Sequence, residues 1–133
     1  MDLEILKIAS DTKNHKVIDD YTHISKHKNP ICGDEMQISL KISNDKIIDF
    51  GYQCKSCIYC QASVSMLSKS SINKSIGAVS EFINLIVNFF EKNNFIFPIG
   101  WKNFDKIFDK KNKSRKECLL LPFKALSKAL NFK

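Results

Sequence analysis

Hydrophobic and polar positions alternate strictly in the middle of the chain. Apolar residues stand at positions 36, 38, 40 and 42 with polar residues between them, a period of two that predicts a half-buried strand. Positions 43–46 (Ser-Asn-Asp-Lys) are typical of a turn. A second alternation follows through Ile48, Phe50, Tyr52 and Cys54. The two runs together predict an antiparallel β-hairpin.

The period changes on both sides of this hairpin. Residues 3–9 predict a short helix, and the polar residues 10–31, which hold all three histidines, predict a loop. One helix is predicted from Cys57, and a second from Ser75 to residues 93–94 with apolar positions at i, i+3, i+4 and i+7. After an apolar connector (95–101) and a basic, partly helical segment (102–115), a last helix is predicted, in which Pro122 fits only in the first turn.

This order of elements predicts an α+β fold, with helices packed on one face of a small antiparallel sheet of about three strands. A length of 133 residues indicates a single domain spanning positions 1–133. With 44% apolar residues and ten Phe the chain can bury a core, to which Trp101 is assigned. No apolar run reaches the roughly 20 residues of a membrane span, and the acidic start lacks signal-peptide character, so a cytoplasmic protein is expected.

The net charge of +7 does not change the predicted class of protein. All basic residues except Arg115 are lysines, whereas proteins that read nucleic acid use arginine for bidentate base contacts, so we interpret the charge as a solvated surface. Residues 102–116 are the densest basic stretch, with seven positive residues against Asp105 and Asp109. That stretch could dock an acidic partner.

Five cysteines carry the candidate chemistry. Their number is odd and three form a C-x-x-C-x-x-C cluster, which favours reduced thiols used in metal or sulfur chemistry over a disulfide framework. They are Cys32, Cys54, Cys57, Cys60 and Cys118.

Three segments supply candidate metal ligands. Cys32 and Asp34 stand two apart at the entrance of a predicted strand, where a thiolate and a carboxylate can reach one ion, unless Cys32 is a small buried residue in a simple turn. Cys57 at a helix start and Cys118 beside a cluster of cations are both biased toward the thiolate. Together these four residues would complete a tetrahedral site, whereas Cys54 and Cys60 are interpreted as core residues.

Three motifs resemble those of a known family. Residues 29–34 (Asn-Pro-Ile-Cys-Gly-Asp) resemble N-P-x-C-G-D, residues 57–66 resemble G-C-x-x-x-x-A-S-x-S-M, and residues 115–126 resemble R-x-x-C-x-x-L-x-x-x-A-L. In these motifs, in their order and in the hairpin between the first two, the chain resembles the NifU N-terminal/IscU/SufU-type iron–sulfur assembly proteins over roughly residues 16–130.

The resemblance implies a SufE/NifU-like fold and a protein that is not an enzyme in the usual sense. Its members take sulfur from a cysteine desulfurase and serve downstream assembly or acceptor proteins, and they hold either Zn²⁺ or a [2Fe-2S] cluster. The family's ligands carry over to Cys32, Asp34, Cys57 and Cys118, with Cys118 and Cys57 as the candidate persulfide acceptors. Glu117, where IscU-type members have histidine, favours SufU-like ligation.

Two other classes of protein remain open at this point. A structural zinc module built on Cys54, Cys57 and Cys60 would unfold on metal loss and would not need Cys32. A nucleic-acid-binding protein would show steeply salt-dependent binding, which the near absence of arginine disfavours. The sequence does not determine the oligomeric state.

Overall fold

The structure, a computed structural model, describes residues 3–30 and 33–131. Seven regular elements follow one another along the chain: α1 (Leu3–Ala9), β1 (His23–Lys28), β2 (Glu35–Ser43), β3 (Lys46–Lys55), α2 (Ile58–Ser71), α3 (Ile76–Ile86) and α4 (Lys116–Leu130). Short 3₁₀ helices connect α3 to α4, at Phe89–Glu91, Lys102–Lys106 and Lys110–Arg115.

The three strands form one antiparallel sheet in the order β1-β2-β3. Ile38 in the central strand pairs with Ser25 on one side and Tyr52 on the other, so these three side chains share a face of the sheet. On that face Met36, Ile38 and Leu40 are fully buried. The predicted hairpin between β2 and β3 is therefore confirmed.

The first strand corrects the prediction that residues 10–31 form a loop. β1 reads His-Ile-Ser-Lys-His-Lys, with no apolar alternation, because it lies at the edge of the sheet and its face toward the helices is only partly buried. Backbone pairing with β2 holds it in place. In addition, the Ser25 hydroxyl donates a hydrogen bond to the carbonyl of Ala125 in α4, at 2.6 Å.

The start of β3 corrects a second prediction. The alternation placed Ile48 in the core, but Ile47 is fully buried and Ile48 is 43% exposed. The pairing of β2 with β3 shifts register between Lys41 and Ile42, and a one-residue shift moves side chains to the other face of a strand. Phe50 and Tyr52 lie beyond the irregularity and are buried as predicted.

The helices cover one face of the sheet. α4 contacts β1 and β2, α2 contacts β3, and α1 packs on α2. Burial is greatest along α2 and α4, whose inward residues join the strands in one hydrophobic core. Trp101 is part of that core and stacks on Phe82, with ring centroids 4.2 Å apart. The predicted α+β fold, with three antiparallel strands and helices on one face, is confirmed.

Two helix boundaries differ from the predictions. α3 ends at Ile86 rather than at residues 93–94, and Phe89 and Phe90 reach the core from a separate 3₁₀ helix. Pro122 is the seventh residue of α4 and not part of its first turn. A proline there removes one backbone hydrogen bond, a cost of about 3 kcal/mol that the burial of Leu119, Leu121 and Phe123 around it offsets.

Residues 14–18 pair with the free edge of β3 and then pass over the other face of the sheet. The amide of Tyr52 donates to the carbonyl of Asn14, and the amide of Ile18 donates to the hydroxyl of Ser39. The segment passes so close to Gly51 that a Cβ on this glycine would lie 2.5 Å from the carbonyl oxygen of Lys16. Within the described residues, no helix has the length and apolarity needed to cross a membrane.

Candidate metal centre

Three predicted ligands from distant parts of the chain converge at one end of the sheet. The ligand atoms of Asp34, Cys57 and Cys118 all lie within 4.8 Å of one another. The Cys118 Sγ is 3.9 Å from the Oδ2 of Asp34, and the backbone amide of Cys57 donates to the same oxygen at 3.4 Å. In the described residues this is the one such group of three or more Cys, His, Asp or Glu side chains.

Backbone hydrogen bonds of the preceding loop position Asp34. The amide of Asn29 donates to the carbonyl of Asp34, and the amide of Gly33 donates to the carbonyl of Asn29, both at 2.8 Å. Gly33 has a φ of +78°, a conformation that glycine adopts without strain. The loop therefore closes on itself and presents the Asp34 carboxylate just before β2 begins.

The two cysteines are carried by the helices that pack on the sheet. Cys57 is the N-cap residue of α2, and Cys118 is the third residue of α4 and 9% exposed. The hydroxyl of Ser63 donates to the carbonyl of Leu119 at 2.7 Å and joins the two helices one turn beyond the site. Both thiols therefore stand at helix starts that are fixed relative to each other.

The donor set suits a transition metal. A tetrahedral Zn²⁺ holding one thiolate and one carboxylate oxygen separates the two ligand atoms by about 3.5 Å. The observed 3.9 Å between the Cys118 Sγ and the Asp34 Oδ2 is close to that value. Two thiols and a carboxylate also match the ligands that zinc and iron–sulfur sites use. The residues present therefore fit a metal ion.

The remaining cysteines are Cys32, Cys54 and Cys60. Cys32, the fourth predicted ligand, lies outside the described residues, and its assignment stays a prediction. Cys60 is fully buried, and burial raises the pKa of its thiol far above the usual range. Cys54 is half-buried, and burial again raises the pKa of its thiol, with the charges of Asp34 and Cys57 adding to the effect.

These positions bear on the structural zinc module considered above. Within the described residues, neither Cys54 nor Cys60 brings its sulfur into a three-ligand group with Cys57. A protonated, buried thiol such as that of Cys60 is the form expected of a core residue, as the sequence predicted for it. The spacing C-x-x-C-x-x-C therefore does not correspond to one metal centre here.

The three histidines do not join the candidate centre. His15 is exposed and makes an edge-to-face contact with Tyr52, at 5.2 Å between centroids. His23 and His27 lie on β1 rather than in a loop. Burial, followed by the charges of Lys128 and Lys124, lowers the pKa of His27, so this imidazole is neutral at neutral pH.

The sequence interpretation missed two supports of the centre. Asn29 is buried and closes the loop that carries Asp34. The signal for this role in the sequence was its place in the first motif. The Arg115 guanidinium lies 5.3 Å from the ring centroid of Tyr59. This cation–π contact connects the residues just before Cys118 with the first turn of α2. No local sequence signal indicates that contact, because the two residues are far apart in the chain.

Fold and site together define a small α+β protein with a Cys/Asp centre between two helix starts and a strand entrance. Residues 2–89 match the sequence profile of the NifU-like N terminal domain. The chain belongs to this family.

Relatives and solved structures agree with that assignment. The chain is 30% identical to the iron-sulfur cluster assembly scaffold protein IscU of Thermotoga maritima over 128 residues, which span 95% of this chain and 89% of the relative. The crystal structure of FiSufU from Fervidobacterium islandicum AW-1 is similar with a TM-score of 0.86 at 26% identity, over 96% of this chain and 94% of that one.

A third comparison concerns the fold alone. The N-terminal NifU-like protein of Brucella abortus superimposes with a TM-score of 0.87 at 18% identity, over 96% of this chain and 89% of that one. The family profile ends at residue 89 and so includes Asp34 and Cys57, whereas Cys118 lies beyond it. Support for the last motif, which contains Cys118, therefore comes from the IscU relative and from FiSufU, whose matches extend over nearly the whole chain.

Proposed function

We propose that the protein is an iron–sulfur cluster assembly protein that accepts sulfur from a cysteine desulfurase and holds metal or a nascent [2Fe-2S] cluster. The assigned ligands are Cys32, Asp34, Cys57 and Cys118. The observation that carries the proposal is the convergence of three of them, from three separate motifs, within 4.8 Å. Membership of the NifU-like family and the similarity to a scaffold protein support it.

The sulfur step requires an accessible thiolate. Cys118 or Cys57 attacks the outer sulfur of a persulfide on the donor, and the S–S bond of that persulfide breaks. The donor cysteine leaves as a thiolate, and the accepting cysteine now carries the transferred sulfur as its own persulfide. One S–S bond forms and one breaks, so the step needs no additional oxidant or reductant.

The two candidate acceptor thiols, those of Cys118 and Cys57, differ in their surroundings. The Cys118 Sγ lies 3.9 Å from the Asp34 Oδ2, within the group of three candidate ligands. Cys57 is the N-cap residue of α2 and is only partly buried, so a donor protein can reach its thiol. The Asp34 Oδ2 also accepts a hydrogen bond from the Cys57 amide, which holds the carboxylate beside both cysteines.

Iron and sulfide are the cargo in this proposal, and a resident Zn²⁺ is the alternative. When bound, Zn²⁺ supplies the positive charge that keeps the ligand thiols deprotonated. The protein then works as a scaffold or sulfur relay within one cytoplasmic domain of residues 1–133, and it passes its product to an acceptor protein.

The test measures bound metal and acid-labile sulfide in protein purified without oxygen. Wild type is compared with Cys32→Ala and Cys118→Ala, and with Cys60→Ala as the matched control for loss of a thiol outside the centre. A second readout is the mass gain of one sulfur atom after incubation with a desulfurase and cysteine.

Each result has a distinct meaning. Zinc alone, lost in Cys32→Ala and Cys118→Ala, indicates a sulfur relay, and iron with sulfide indicates a scaffold. Both variants should also accept less sulfur, whereas Cys60→Ala should match wild type in metal content. If both ligand variants bind metal and accept sulfur as well as wild type, the proposal is wrong.

A further inference from the structure

The connector after α3 leaves two large apolar side chains in water. Ile99 is 91% exposed and Ile96 is 86% exposed, the two highest values for large hydrophobic residues in the described part of the chain. Burying either side chain on a partner would remove most of its apolar surface from water. We call the segment from Phe95 to Gly100 the apolar tip.

An aromatic cluster holds the apolar tip in place. The rings of Phe95 and Phe97 contact each other, with centroids 4.9 Å apart, and both pack on Phe89 at 5.2 and 5.7 Å. Phe89 itself is buried and meets Phe108 at 5.6 Å. The two phenylalanines of the tip are thus anchored in the core while the isoleucines beside them face solvent.

Basic residues connect this anchor to the candidate metal centre. Lys110 Nζ lies 4.5 Å from the Phe89 ring centroid, and Lys116 forms an ion pair with Glu91 at 3.5 Å. Lys116 stands two residues before Cys118. These contacts place Lys110 and Lys116 beside the anchor, on its side toward the centre. The other end of the tip lies farther from the centre, because a Cβ on Gly100 would lie 3.3 Å from the side chain of Lys74, which follows α2 at the end opposite Cys57.

We propose that the apolar tip and the basic stretch form one docking surface for a protein partner whose own surface is acidic around an apolar recess. Charge supports a protein of this kind, because the stretch holds seven basic residues against two aspartates. Exposed isoleucines beside such charges are typical of an interface with an apolar centre and a polar rim. Resting on the proposed function, the partner is the cysteine desulfurase that meets Cys118.

The experiment measures the affinity of the purified desulfurase for variants of this surface. The double variant Ile96→Ser/Ile99→Ser removes the apolar tip, and Lys102→Glu/Lys113→Glu reverses two charges of the stretch. Matched controls are Val17→Ser, 41% exposed, and Lys16→Glu beside it, because both residues lie on the face of the sheet opposite the helices. Thermal unfolding of every variant checks that the fold is retained.

The tip variant is expected to bind at least about tenfold more weakly, as buried anchors at interfaces typically do when truncated. The charge variant should also bind the desulfurase more weakly, and its affinity should depend less on salt concentration than that of wild type. Both controls should bind the desulfurase like wild type. At saturating desulfurase the tip variant should still accept sulfur fully, whereas Cys118→Ala should bind normally and accept less. This contrast separates failure of the docking surface from failure of the proposed function.

Three results would overturn the inference. The first is unchanged desulfurase affinity in the tip variant, and the second is an equal loss of affinity in Val17→Ser. The third comes from vesicles of anionic phospholipid. If wild type binds them, the tip variant does not and both bind the desulfurase equally, the surface is a membrane contact and not a protein interface.

Discussion

At the scale of single residues, Gly51 makes the sharpest stability prediction. A Cβ at this position would lie 2.5 Å from the Lys16 carbonyl and 3.0 Å from the Ser39 hydroxyl, so the crossing segment would have to move. We expect Gly51→Ala to lower the free energy of unfolding by about 1–3 kcal/mol, the usual cost of overpacking. Urea unfolding of wild type and variant measures the difference.

Gly77 provides the control for that substitution. It is the second residue of α3, and nothing lies within 4 Å of the Cβ it would gain. Gly77→Ala should stabilise the protein by up to about 1 kcal/mol through helix propensity. Equal effects of the two substitutions would contradict the assigned role of Gly51.

Titration of buried groups gives a second residue-scale prediction. Burial raises the pKa of Tyr52 to about 12 and raises that of the Cys60 thiol as well, so both stay protonated in the fold after they ionise in the unfolded chain. The unfolded state then binds fewer protons, and stability must fall as the pH rises from about 9. Urea unfolding between pH 7 and 11 should show this loss.

Cys60→Ala tests the contribution of the thiol. The variant should lose less stability per pH unit above about pH 9, whatever its stability at neutral pH. Ser63→Ala, a buried and non-titrating neighbour on α2, should keep the wild-type slope. A wild-type slope in Cys60→Ala would show that this thiol does not contribute to the alkaline loss.

Residue-level sequence reasoning singled out three residues that lie together in the structure. Asp34, Cys57 and Cys118 could be singled out because thiolates and carboxylates with defined spacing have few other uses, and the structure brings these three together. The need for glycine at position 51 could not be predicted, since it depends on a segment more than 30 residues earlier. The same holds for the contact between Arg115 and Tyr59.

At the scale of elements, the start of α3 depends on one side chain. The Ser75 hydroxyl accepts a hydrogen bond from the amide of Ala78 at 3.1 Å and caps the helix. Ser75→Ala should cost about 1 kcal/mol, and Ser75→Asp should retain most of the stability because aspartate caps equally well. Thermal unfolding of both variants measures this, and equal losses would contradict a capping role.

Elements were predictable where the side chains themselves carry the period. β2 buries alternate residues and α3 buries one face, so their patterns were visible in the sequence. α2 buries every residue from 62 to 68 and has no single apolar face. β1 was not predictable, because an edge strand of histidines and lysines is held by backbone pairing with β2. The burial of Ile47 in place of Ile48 could not be predicted either, because a register shift depends on both strands.

At the scale of the whole molecule, the candidate centre lies at the margin of the core, to which Cys118 belongs and against which Cys57 packs. Strands and helices share one hydrophobic core, in which Phe50, Phe82, Phe104 and Phe123 are almost fully buried. The centre lies at one end of the sheet, where the ligands come from a loop and two helix starts. Because these phenylalanines hold the core together without the candidate ligands, we expect metal binding to add to stability by mass action and not to create the fold.

Removal of metal tests this expectation. Protein stripped with a chelator should keep its far-ultraviolet circular dichroism and the near-ultraviolet signal of Trp101, because that ring is stacked on Phe82 within the core. Its free energy of unfolding should fall by about 3 kcal/mol relative to protein with metal at a hundred times the dissociation constant. Cys118→Ala, which lacks a ligand, should lose most of this difference between the two conditions. Loss of the circular dichroism on chelation would mean that the metal organises the fold, as a structural zinc module requires.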